Sequence, residues 1–141
     1  MLRYFPIDAG ISFDCVGSDL LGFDWQERYA DFVIPGDDEH LLRVSFPDGV
    51  IVRMLDEMPL STETDPSTWH GLVPGHFAYR VEGHSFPAAQ SEAWMHGGEV
   101  QHYQFVTGWG CLDVVTGQPP SFAIIAAPIE DTGEQSRPGL A

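Results

Sequence analysis

Lysine and asparagine are absent from this chain of 141 residues, and its positive side chains are six arginines set against 21 acids, a net charge of −15. Both missing residues have A-rich codons, so their absence points first to a GC-rich genome, that of a bacterium or its phage. It also excludes one chemistry. A P-loop needs its lysine, and neither G-x-x-x-x-G-K nor G-x-G-x-x-G occurs. Positive charge is so scarce that phosphate backbones and anionic lipid would be repelled, which disfavours direct contact with nucleic acid or a membrane surface and favours a basic partner. Solubility alone is the plainer use of such acidity.

Other absences narrow the chemistry further. Cys15 and Cys111 are the only cysteines and stand far apart, too few for a disulfide scaffold, so buried thiols are expected and a bridge between them is the other option. No apolar run approaches the ~20 residues of a membrane helix. The opening MLRYFPIDAG lacks the basic region and apolar core of a secretion signal, which places the chain in the cytoplasm. G-x-S-x-G, H-x-H and H-E-x-x-H are all missing. None of the remaining patterns is specific enough to name a family.

What is present is β-forming sequence, densest from Val100 to Ala127. Val100 to Thr107 reads as a strand with Tyr103 and Phe105 on one face and His102 and Gln104 on the other. Gly108-Trp109-Gly110 predicts a bulge or kink that re-aims Trp109. Cys111 to Val115 continues as a strand, a five-residue loop turns, and the unbroken apolar run Phe122 to Ala127 predicts a central strand covered on both faces.

Earlier in the chain, Leu2 to Phe5 and Ile11 to Val16 read as short strands, with Ile11, Phe13 and Cys15 sharing a face. Asp24 to Phe32 predicts a helix capped by Asp24 and Glu27, with Trp25, Tyr29 and Phe32 along one side, although Tyr29 to Ile34 also suits a strand. Leu41 to Phe46 and Val50 to Leu55 flank Pro47-Asp48-Gly49 as a hairpin. That register sets Arg43 opposite Arg53, a like-charge contact that calls for bridging acids from Asp56, Glu57 or the run Asp37-Asp38-Glu39, or for a bound anion. Asp56 to Gly71 is a long polar loop holding Trp69, His76 to Gly83 an amphipathic strand, and Ser85 to His96 a short helix.

The architecture expected is α+β and β-rich: a single domain over residues 1–127 with a flexible tail at 128–141. It has a curved or sandwiched antiparallel sheet of about six to eight strands and one or two short helices. The expected core comprises Phe13, Trp25, Val44, Phe46, Val52, Phe77, Tyr79, Tyr103, Phe105, Leu112, Val114, Phe122 and Ile124.

Two functional readings follow. The first is a small acidic module that binds a basic protein, in the manner of a stoichiometric inhibitor of immunity or anti-defence type. Its contacts would be Asp37, Asp38, Glu39, Asp56 and Glu57, with Trp69 as aromatic anchor. The second is a small enzyme or ligand-binding domain on a histidine-lined face. Five of six histidines fall between His70 and His102, and His76, His84 and His102, with Glu82, Glu92 or Glu99, would hold a divalent metal such as zinc, while Tyr103 and Trp109 shape a pocket.

Overall fold

Alternating β-branched and aromatic residues build ten strands in the computed structural model, which describes residues 2–56, 69–83 and 100–128. The strands are β1 Leu2–Pro6, β2 Leu20–Asp24, β3 Tyr29–Val33, β4 His40–Ser45, β5 Val50–Asp56, β6 Trp69–His70, β7 Ala78–Glu82, β8 Gln101–Val106, β9 Gly110–Thr116 and β10 Ser121–Ala126. They form a six-stranded sheet, ordered β5-β9-β8-β7-β1-β6, and a four-stranded sheet, ordered β10-β4-β3-β2. Among the described residues there is no α-helix, only one turn of 3-10 helix at Cys15–Gly17. The α+β expectation is therefore corrected to an all-β architecture of two sheets. The helix expected over Ser85 to His96, and residues 129–141 of the expected tail, lie outside the described residues.

The expected helix at Asp24 to Phe32 is instead the β2–β3 hairpin. Its capping chemistry is present but closes a single turn. Asp24 Oδ1 accepts the Gln26 and Glu27 amides at 3.0 and 2.9 Å, and the Arg28 amide bonds the Asp24 carbonyl at 2.9 Å. Arg28 then takes the left-handed conformation at φ 59°, which ends the turn and sends Tyr29–Val33 into a ladder. Ala30 and Phe32 alternate into the core while Trp25, expected there, is 68% exposed. Ile11 to Val16 is not a strand either, yet Ile11, Phe13 and Cys15 still pack against the core.

Two expected hairpins are corners between sheets. Pro47 to Gly49 carries the chain from β4, which pairs with β3 and β10, to β5, which pairs with β9. Arg43 and Arg53 therefore never face each other, and each has its own carboxylate: Arg43 grips Asp31 at 2.8 and 2.9 Å, and Arg53 grips Asp113 at 2.8 and 3.1 Å. Likewise β9 and β10 belong to different sheets, and β10 is an edge strand rather than a central one, with Ile124 53% exposed.

Between the sheets lies an aromatic core. Phe32, Phe46, Phe77 and Phe105 are buried, and Phe13 and Phe122 pack onto them with ring centroids 5.0 to 6.5 Å apart. Burying each such ring contributes about 1.5–3 kcal/mol. Leu42, Val44, Leu112 and Val114 complete the packing from both sheets. Phe105→Ala is expected to lower unfolding free energy by about 3–5 kcal/mol and Trp25→Ala by less than about 0.5 kcal/mol, as read from urea midpoints at unchanged slope.

Candidate functional site

Asp113, on β9 between the edge strand β5 and β8, is a buried carboxylate that donors from three side chains meet. Antiparallel register sets it opposite Gln104 of β8 and Arg53 of β5, and strand alternation puts His102 on the same face. Its Oδ1 accepts from His102 Nε2 at 2.7 Å and Gln104 Nε2 at 2.9 Å, while Oδ2 accepts from Arg53 Nη2 at 2.8 Å and Nε at 3.1 Å. A carboxylate is an acceptor, so His102 Nε2 carries the proton in this pair. Burial pushes the Asp113 carboxyl up, but the hydrogen bonds from His102, Gln104 and Arg53 outweigh it and hold the group below its ordinary value. The side chains of Asp113 and His102 are 0% and 1% exposed, so the pair is sealed from any substrate and acts on the fold.

The other histidines are placed differently from the converging face that strand parity predicted. His102 lies opposite Val81, whereas Arg80 lies opposite Tyr103, so His102 shares a face with Tyr79 and Val81 and not with Arg80 and Glu82. His76 precedes β7, donates Nε2 to the Ile7 carbonyl at 2.8 Å and rests edge-on against Tyr79. His84, Glu92 and Glu99 lie outside the described residues. Among the described residues no group of three His, Cys, Asp or Glu side chains is set to hold a metal. Tyr103 is in the core and Trp109 is on the surface, so they do not shape a common pocket.

Of the acids expected to make contacts, Asp37, Asp38 and Glu39 lie on the β3–β4 turn and Asp56 ends β5. Asp37 builds the β3–β4 turn: its Oδ1 accepts the Glu39 and His40 amides at 2.9 and 3.1 Å, and Oδ2 lies 3.0 Å from His40 Nδ1. Those bonds, led by the Glu39 amide, hold its carboxyl below the ordinary value. Asp38 and Glu39 stand exposed beside it. Asp56 ends β5 opposite Gly110, and Glu57 lies outside the described residues. Trp69 belongs to β6 and is half-buried edge-on against Tyr4, with ring centroids 6.0 Å apart.

Trp109 occupies the β8–β9 turn and is 72% exposed. The turn is stiff, because Thr107 Oγ1 accepts the Trp109 and Gly110 amides at 3.3 and 3.0 Å and donates to the Gly110 carbonyl at 2.8 Å. Gly108 is required: a Cβ there would collide with the Val16 carbonyl. The segment Cys15 to Asp19 straps this turn to its neighbours. Ser18 accepts the Gly108 amide and donates its hydroxyl to the Val33 carbonyl, Val33 bonds Asp19, and Cys15 bonds Gly75. The G-W-G signal was legible in sequence, and the structure makes it a turn rather than a bulge.

Two open grooves flank the strap. One, of about 410 Å³, is lined by Asp19, Leu20, Met54, Leu55, Trp109 and Gly110. The other, of about 250 Å³, is lined by Leu72, Val73, His76 and Tyr79 with Cys15 and Val106. Exposed Val16, Met54, Leu72, Val73 and Trp109 make this end apolar. Asp19 lines the groove beside Trp109 and its carbonyl accepts the amide of Val33, the last residue of β3, after which the β3–β4 turn carries Asp37, Asp38 and Glu39. No arginine occurs in residues 14–20, 34–40, 54–56 or 107–110.

Searches against protein-family models, curated proteins and solved structures found no match to this chain.

Asp113→Asn is expected to destabilise the fold by about 3–5 kcal/mol, because it leaves Arg53 and His102 facing a neutral amide. Since the folded-state value of Asp113 lies below 3.8, its contribution is complete above that pH and is lost as pH falls through the folded-state value. Denaturant titrations from pH 6 down to about pH 2 should show a stability loss in the native protein that is smaller in Asp113→Asn.

Proposed function

We propose that this chain is a binding module whose apolar, acid-rimmed end docks a basic partner protein, and that it works stoichiometrically, as inhibitors of immunity or anti-defence type do. Trp109 carries the reading. A large aromatic held outward on a hydrogen-bonded turn loses little conformational freedom on binding, which is the property of an interface anchor. Leu20, Met54 and Leu55 offer the groove beside it, and the surrounding carboxylates supply a field that steers a cationic surface toward it. Asp38 and Glu39, exposed on the β3–β4 turn that Asp37 holds, would make rim contacts. The net charge of −15 supports a protein partner over nucleic acid. Among the described residues no helix is long and apolar enough to cross a membrane.

The test is paired affinity capture from host lysate, followed by rate measurements on what is captured. Wild-type protein is expected to retain a basic protein that Trp109→Ala binds about 30-fold more weakly. Neutralising Asp19→Asn, Asp38→Asn and Glu39→Gln together is expected to slow association and flatten its decline between about 0.1 and 1 M salt, over which the Debye length falls from about 10 to 3 Å. Capture unaffected by both variants would remove this surface from the function.

A further inference from the structure

Each sheet has two edges, and three of these four are guarded. The β6 edge is two residues long, the β2 edge carries a register shift between Leu20 and Gly22 and ends at Asp24, and the β5 edge bears Arg53. Short length, bulges and charge are the usual means of blocking further strand pairing. The β10 edge has none of them. Its six residues, SFAIIA, are in regular register with β4 from Ser121 opposite Ser45 to Ala126 opposite His40. Among the described residues nothing pairs with its other side.

Its side chains are as unguarded as its backbone. Phe122 and Ile124 lie opposite Val44 and Leu42, both buried, so Ile124 points to the core side of the sheet and is nevertheless half-exposed. Residues 114–129 form the longest stretch without an acid or arginine in a chain of net charge −15. Two β10 strands therefore meet without bringing acids or arginines of their own together. Pro119, Pro120 and Pro128 bracket the strand and limit the pairing to its length.

We infer that β10 is a self-association edge, on which a second copy of this chain adds its own β10 antiparallel to form a continuous eight-stranded sheet across a two-fold axis. Centred on Ile124, that pairing sets the two Ile124 side chains across from each other and Phe122 across from Ala126, apolar against apolar on the core side. The inference stands apart from the docking end, which uses other residues.

Sedimentation velocity of the full chain over a dilution series to about 100 μM tests it, alongside hydrogen exchange at both extremes of concentration. The expected result is a dimer, with the amides of Ser121–Ala126 slowing as it forms. Ile124→Lys, at an exposed position, should weaken the dimer by about tenfold or more by setting two ammonium groups across the axis. Trp109→Ala should leave it unchanged. A chain that stays monomeric to that concentration overturns the inference. So does a dimer whose exchange protection falls elsewhere, or one lost in Trp109→Ala. If Ile124→Lys fails to fold, exchange in the native protein still decides between these outcomes.

Discussion

A buried carboxylate sets the terms for the larger sheet. Removing Asp113 from water would cost several kcal/mol if it were left alone, and the penalty is offset only because donors from three side chains meet it. Those donors come from β5 and β8, on either side of β9. A one-residue slip of either neighbour would turn its donor to the opposite face and leave the charge uncompensated. Register is thereby fixed chemically on one face, and the other face follows: Tyr103, Phe105, Leu112 and Val114 are delivered together to the aromatic core. In a chain without lysine the cation must be arginine, whose planar fork supplies two of the four bonds at once. The pair Arg43–Asp31 in the smaller sheet has similar geometry but stands partly in solvent, where such pairs contribute about 0–1 kcal/mol.

The surface proposed for docking is built on strands that meet at that hub. The same strands that hold Asp113 run out to the β8–β9 turn, and β5 ends opposite Gly110 at its base. Thr107 closes the turn and the Ser18 carbonyl accepts the Gly108 amide, so the backbone beneath Trp109 is bonded on both sides. The carboxylates around it have no such anchorage in common: Asp37 is bonded within its own turn, while Asp38 and Glu39 are exposed. Anchor and field are thus separable, the first built on the sheet and the second carried by loops.

Many strand positions were legible because the period of two is local, but the face of β7 was not, since Val81 rather than Arg80 lies opposite His102. Leu42, Val44 and Phe46 read as a core face, and so they are. What failed was nonlocal or degenerate. Asp24 and its capped amides open a single turn as readily as a helix, and only the ladder of Tyr29–Val33 with β4 decides between them. Pro47 to Gly49 turns the chain equally well within a sheet or from one sheet to the other. The run from Phe122 to Ala127 read as central because it is apolar without alternation, yet β10 lies at an edge with Ile124 exposed. Asp113 carried no local signal, since Arg53, its partner, stands 60 residues away. Trp109 could be seen between its glycines, but the approach of the Val16 carbonyl that Gly108 admits is a contact that no periodicity reveals.

The neutral edge and the acidic end are neighbours, and charge decides how two copies can use both. The Ala127 amide bonds the Glu39 carbonyl at 2.8 Å, so β10 finishes beside the acidic turn. Parallel pairing of two β10 strands would set both Asp38–Glu39 turns side by side, where exposed carboxylates repel. Antiparallel pairing sends them to opposite ends of the shared strand pair, which spans roughly 20 Å. That separation is about twice the Debye length at physiological salt, so the two fields are largely screened from each other. The charge pattern therefore selects the antiparallel arrangement, the one that also matches apolar side chains across the axis.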